Sequence, residues 1–118
     1  GHASMLARKA SLQLECENIS AEVIDVRILN PFHSEEIITS VKKTKNLLVV
    51  DSGCLSVGFS AEIIAKVVEQ LPTNCLENPP KRVALPDAPA PTSRVLEEAY
   101  YTSTEQVVVS ATKILNKV

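Results

Sequence analysis

A chain of 118 residues with 45% hydrophobic and 22% charged content can bury one core without staples, and its net charge of −2 leaves no basic footprint for nucleic acid. No apolar run approaches the roughly 20 residues of a membrane span, so no membrane segment is expected. Cys16, Cys54 and Cys75 are odd in number, widely spaced and without a CxxC, which argues against a disulfide framework or zinc site and fits a reducing compartment.

Residues 1–5 read as a cloning remnant, which leaves one domain over residues 6–118. Residues 5–17 carry Leu6, Ala7, Ala10 and Leu14 at spacings of three and four, which predicts an amphipathic helix. Residues 21–29 alternate Ile24, Val26 and Ile28 with Val23, Asp25 and Arg27, which predicts a strand partly covered on its second face. After a loop at residues 30–33, Ser34 is placed to cap a helix running to about Lys43. Glu35 and Glu36 in its first turn and Lys42 and Lys43 in its last match the macrodipole, and Ile37, Ile38 and Val41 give a buried face.

Leu47, Leu48, Val49 and Val50 form a continuous apolar run, the pattern of a strand buried on both faces in a parallel sheet, ending at Asp51. Gly53 and Gly58 bracket a loop. The next helix runs to Leu71, with Ala61, Ile64, Ala65 and Val68 as its stripe and Pro72 as its stop. An irregular stretch over residues 73–80 leads to a third strand at residues 81–85. Pro86, Pro89 and Pro91 then stiffen a loop ahead of a short helix over about residues 94–100. Ser103 and Gln106 have the spacing of a capping box, and Val107, Val108, Ala111, Ile114 and Leu115 line the last helix. Strands alternating with helices imply right-handed crossovers and an α/β fold, a three-layer α/β/α sandwich on a mainly parallel sheet.

In such sheets, ligands and partners meet the loops at the strand carboxyl ends, so the segment from Asp51 to Ser60 is the first place to seek a site. Gly53 and Gly58 followed by Phe59 and Ser60 come within one residue of the phosphate-loop pattern GxxxxGK(S/T). The missing residue is the lysine that reaches the phosphates, so this is not a phosphate loop. Cys54 and His33 both follow strand ends, and with Asp51 or Asp87 they could form a nucleophile set if their side chains meet; the plainer reading of Cys54 is a small buried hydrophobe. Asp25, Asp51 and Asp87 lie in or at the ends of strands, and structural roles are preferred for all three. The Pro86-to-Pro91 loop and the C-terminus suit partner contact or a stiff connector about equally.

Three segments, in order, resemble one family. Ala21 to Phe32 is similar to its "AEVIDLRTLxPLD" strand and turn, and Leu47 to Ile63 to its "LVVVDEGxxxGGFGAEI" strand, loop and helix. Lys81 to Ser93, with Leu96, Glu97 and Tyr101, is similar to "KRVTGPDVPxPxSxxLExxYLP". The family is the C-terminal domain of the transketolase superfamily. The best match within it is the beta subunit of the first component of pyruvate or branched-chain 2-oxo acid dehydrogenases. The resemblance implies a parent that performs thiamin-diphosphate-dependent oxidative decarboxylation, with the diphosphate and its magnesium held by other domains.

It further implies partners: an alpha subunit, a second beta subunit and the acyltransferase component of a multienzyme complex. The compartment would be the cytoplasm in a bacterium, or the mitochondrial matrix or a plastid in a eukaryote. This piece alone is expected to be inactive, with no catalytic, cofactor-binding or metal residue of its own. The candidate contact residues are Asp25, Arg27, Gly53, Cys54, Gly58, Phe59, Pro86, Asp87, Pro89, Pro91 and Val118. Two alternatives stay open: the same domain of a transketolase or deoxyxylulose-phosphate synthase, and a free-standing small-anion-binding module.

The chain departs from the family pattern at Ser52, where an acidic residue or histidine is usual, and at Val57 and Ser60, which stand in place of glycines. The family domain also usually begins with an internal strand ("VTIVSYG"-like) ahead of the first helix, which has no counterpart here. An incomplete sheet is therefore expected, either closing up or repaired by pairing with another chain into an oligomer.

Overall fold

The computed structural model describes residues 2–26, 34–86 and 102–116. Within them the order is α1 (His2–Cys16), α2 (Glu35–Thr44), β1 (Leu48–Cys54), α3 (Phe59–Gln70), β2 (Lys81–Leu85) and α4 (Thr104–Asn116). The two strands pair in parallel, Leu48 beside Lys81 and Val50 beside Val83, with an irregularity between Val50 and Cys54. The apolar run leading into β1 packs against apolar side chains on both faces, with Val49 buried and Leu47, Leu48 and Val50 half-buried. Leu47 and Val49 pack with Ile37 and Val41 of α2 and Ile63 and Val67 of α3. Leu48 and Val50 pack on the opposite side with Leu6 and Ala10 of α1 and Val107 of α4. Two helical layers thus enclose a parallel sheet, an α/β/α sandwich.

Capping at the last helix follows the sequence. The Ser103 N–H donates to Gln106 Oε1 at 3.1 Å and the Gln106 N–H donates to Ser103 Oγ at 3.3 Å, the reciprocal pair of a capping box. Ser34 behaves differently. It occupies the N-cap position of α2, but its side chain makes no cap bond. Its hydroxyl instead accepts the Gln70 side-chain amide at 3.0 Å and ties α2 to the end of α3. At the other end of α2, Lys45 turns left-handed (φ 68°) and returns its N–H to the Val41 carbonyl at 2.7 Å.

Other elements differ from their sequence expectations. The first helix begins at His2, inside the stretch read as a remnant. β1 continues through Gly53 to Cys54 because the chain stays beside β2 beyond Asp51. The stripe of α3 is displaced by one residue: Ser60, Ile63 and Val67 are buried, whereas Ala65 and Val68 are exposed. This helix is apolar enough to offer two adjacent stripes, and contact with β1 and α2 selects between them.

The segment at residues 19–26 is the main departure. No ladder forms there, although Ile24 and Val26 pack on the α2–α3 cluster with the two-residue spacing of an extended chain. Glu22 fastens it to α2 by accepting from Ser40 Oγ and Lys43 Nζ. Between this segment and β1 lies a cavity of about 580 Å³. Among the described residues the sheet has two strands. Residues 27–29 of the expected strand, the 30–33 loop, the proline-rich loop from residue 87 and the helix expected at 94–100 lie outside the described residues.

Candidate functional site

The carboxyl ends of β1 and β2 meet the turn that leads into α3, and Asp51 organises it. Asp51 Oδ1 accepts the Gly53 N–H at 2.9 Å, and Oδ2 accepts the Ser60 N–H at 3.0 Å. The second bond falls in the first turn of α3, where N–H groups without intrahelical partners and the helix dipole favour negative charge. A backbone site that could receive an anion is therefore filled by the chain's own carboxylate. Glu62 adds a second negative charge to the same turn.

The rest of the turn is fastened to β2. The Leu55 N–H donates to the Leu85 carbonyl at 2.8 Å, and the Leu55 carbonyl accepts the Arg82 guanidinium. At the tip, Val57 is fully exposed and left-handed, with φ 59°. A β-branched residue is disfavoured there because its Cβ crowds the following carbonyl. Neither Gly53 nor Gly58 has a positive φ, and Gly58 sits at φ −81°, ψ 164°. The turn places its left-handed residue at Val57, not at either of the glycines that bracket it.

Ser60 lies next to this capping bond with 0% exposure, and among the described residues its hydroxyl has no hydrogen-bond partner. Both departures from the family's glycines thus fall where a side chain is awkward. Val57 carries the strained backbone, and Ser60 buries an unpaired hydroxyl. No sequence pattern marks Ser60 as buried, because the competing stripe on α3 excludes it.

Of the expected contact residues, Gly53, the Cys54 backbone, Gly58, Phe59 and exposed Pro86 gather at this end of the sheet. Asp25 lines the cavity beside β1 together with Asp51 and Phe59. Arg27, Asp87, Pro89, Pro91 and Val118 lie outside the described residues, as do His33 and the Cys54 side chain, so the Cys54–His33 pairing falls there too. Cys16 is a free exposed thiol and Cys75 a free buried one. Among the described residues no group of three His, Cys, Asp or Glu side chains could hold a metal ion. A thiamin diphosphate does not fit this turn, since the Asp51 carboxylate already occupies the helix end that would bind its phosphates.

Comparison with known sequences agrees with this architecture. The transketolase C-terminal domain profile matches residues 1–107. The chain is 41% identical over 108 residues to the mitochondrial pyruvate dehydrogenase E1 component subunit beta of Caenorhabditis elegans, covering 92% of this chain and 31% of that protein. It is 38% identical over 98 residues to the corresponding Saccharomyces cerevisiae protein, covering 83% and 27%. It is 32% identical over 111 residues to the acetoin:2,6-dichlorophenolindophenol oxidoreductase subunit beta of Bacillus subtilis, covering 94% and 32%. The chain spans about a third of the length of these curated relatives. With a matching profile over most of its length and a parallel α/β/α core, the chain belongs to the transketolase C-terminal domain family.

Proposed function

We propose that this chain is the non-catalytic assembly domain of a thiamin-diphosphate-dependent 2-oxo acid dehydrogenase beta subunit. The observation that carries this reading is the self-satisfied turn at the sheet's carboxyl end. Its helix N-terminus is plugged by Asp51, while the tip at Val57 stands in solvent. A helix start capped by the chain's own carboxylate is ill suited to holding a diphosphate, which supports contact with other subunits as the role of this turn. The relatives supply the chemistry of the parent, since two are named as pyruvate dehydrogenase beta subunits and one as an acetoin oxidoreductase beta subunit. In that reading the cofactor and its magnesium belong to other domains, and the partners are the alpha subunit, a second beta subunit and the acyltransferase component.

The test is sedimentation velocity of the chain with a purified alpha subunit and, separately, with the acyltransferase component, alongside calorimetry with thiamin diphosphate plus magnesium, inorganic phosphate and nucleotides. Co-sedimentation that is lost in Val57→Asp, together with no heat from any small ligand, is expected. Val57 is fully exposed, so this variant leaves the core untouched. Saturable heat from phosphate or a nucleotide would overturn the reading in favour of an anion-binding module, and failure to bind either protein would also overturn it.

A further inference from the structure

α1 keeps an apolar stripe on its outer face as well as its inner one. Leu6, Ala10 and Leu14 are its buried residues, and Leu6 and Ala10 pack with Val83 of β2 and Val107 of α4. At about 100° per residue, Leu12 lies directly opposite the midpoint of Ala10 and Leu14, with Met5 about 20° from it on the same side. Leu12 is accordingly 64% exposed and Met5 47%. Arg8, Lys9, Glu15 and Cys16 flank this stripe, and all four are exposed.

A single exposed leucine is ordinary, but the charges beside this one select an occupant. Arg8 and Glu15 lie on the same flank of the stripe, about 6 Å to one side of Leu12 along the axis and about 4.5 Å to the other. Among the described residues neither has an ion-pair partner. When a second α1 lies antiparallel on the first, with the two-fold axis at Leu12, Leu12 meets Leu12 and Arg8 of each copy faces Glu15 of the other. The charge pair therefore forms twice. On the other flank Lys9 faces Cys16, so no like charges oppose one another. A parallel pair would set Arg8 against Arg8 and Glu15 against Glu15, and the charges disfavour it.

We infer that the outer face of α1 is a self-association surface, on which a second copy of this chain docks antiparallel through Leu12 and two Arg8–Glu15 pairs. This surface is separate from the turn at Val57, and its role holds whichever enzyme the parent is. One helix pair is smaller than a standard interface, so the dimer is weak and forms at high concentration.

The test is sedimentation equilibrium of the 118-residue chain up to about 1 mM, with reductant present to exclude a Cys16 disulfide. The unaltered chain is compared with Leu12→Glu, Arg8→Glu, Glu15→Arg and an equimolar mixture of the last two. A monomer–dimer equilibrium that is lost in Leu12→Glu is expected. Each single charge reversal sets like charges together at two places and should weaken association about tenfold or more. Mixing the two reversals should restore it, because every reversed charge then meets an opposite one. All three positions are exposed, so far-ultraviolet circular dichroism should be unchanged in each variant. A chain that stays monomeric throughout overturns the inference, as does a dimer untouched by Leu12→Glu, which would use another surface such as the cavity beside β1. A mixture that associates no better than its two components also overturns it, since Arg8 and Glu15 would then not face one another.

Discussion

At its carboxyl end β1 enters a turn whose helix-start N–H is capped by a side chain nine residues earlier, whereas along its other side, among the described residues, the same strand pairs with no strand and borders a cavity. The difference is one of sequence distance. Asp51 reaches Gly53 and Ser60 within nine residues, so closing the turn requires little loop entropy. The edge needs a whole strand, and a side chain cannot substitute for a ladder of peptide groups. One strand is therefore finished locally at its end and left open along its side.

Removing the local closure gives the largest expected effect. Asp51→Ala leaves two N–H groups without their carboxylate and should cost about 2 kcal/mol, read from urea unfolding with an unchanged m-value. A loss no greater than that of an ordinary surface substitution would mean the turn is not held by this residue. Ser60→Ala acts in the opposite direction. It removes a buried hydroxyl with no partner and inserts a better helix former, so a gain of about 1 kcal/mol is expected in the same measurement. No gain would show that the hydroxyl finds a partner in solution.

The contrast between local and distant closure also decides what could be read from the chain. The capping box at Ser103, the charge pattern of α2 and the doubly buried run from Leu47 to Val50 each lie within a few residues, and each appears in the structure as read. Periodicity alone allows two faces on α3, and only contact with β1 and α2 selects Ser60, Ile63 and Val67. The strand expected at residues 21–29 has the right alternation over its described part, yet among the described residues no strand is laddered to it. The Asp51 cap was legible as a strand-end carboxylate with a structural role, but its two acceptor bonds depend on the fold of the turn. Ser34 looked like a cap and bonds Gln70 instead, a contact 36 residues away.

Val57→Gly tests the exposed tip. The left-handed backbone at φ 59° disfavours valine by roughly 1–2 kcal/mol, and glycine's larger unfolded-state entropy returns part of that. A net gain of about 0.5–1 kcal/mol is expected, with no change at β1. A loss would mean that the valine side chain makes a stabilising contact at the tip.

The smallest effect concerns the outer wall of the cavity. Glu22 holds residues 19–26 on α2, and the hydrogen bond from Lys43, with that from Ser40, keeps its carboxyl below the ordinary carboxylate value. Lys43 is raised in return, chiefly by the same hydrogen bond. For Glu22 the sign is that of a depressed acid: its contribution is present above the unfolded value and is lost as pH falls through the lowered folded one. For Lys43 the contribution is present below its unfolded value and is lost only as pH rises through the raised one. Glu22→Gln should therefore lower the thermal midpoint slightly near neutral pH and low salt, with the difference vanishing in acid and shrinking in high salt, because the pair is exposed. Amide exchange at Leu48 and Val50, which line the cavity with residues 19–26, is the sharper readout. Unchanged exchange in Glu22→Gln would mean that the Glu22 contacts do not shield this side of β1, whereas faster exchange would mean that they do.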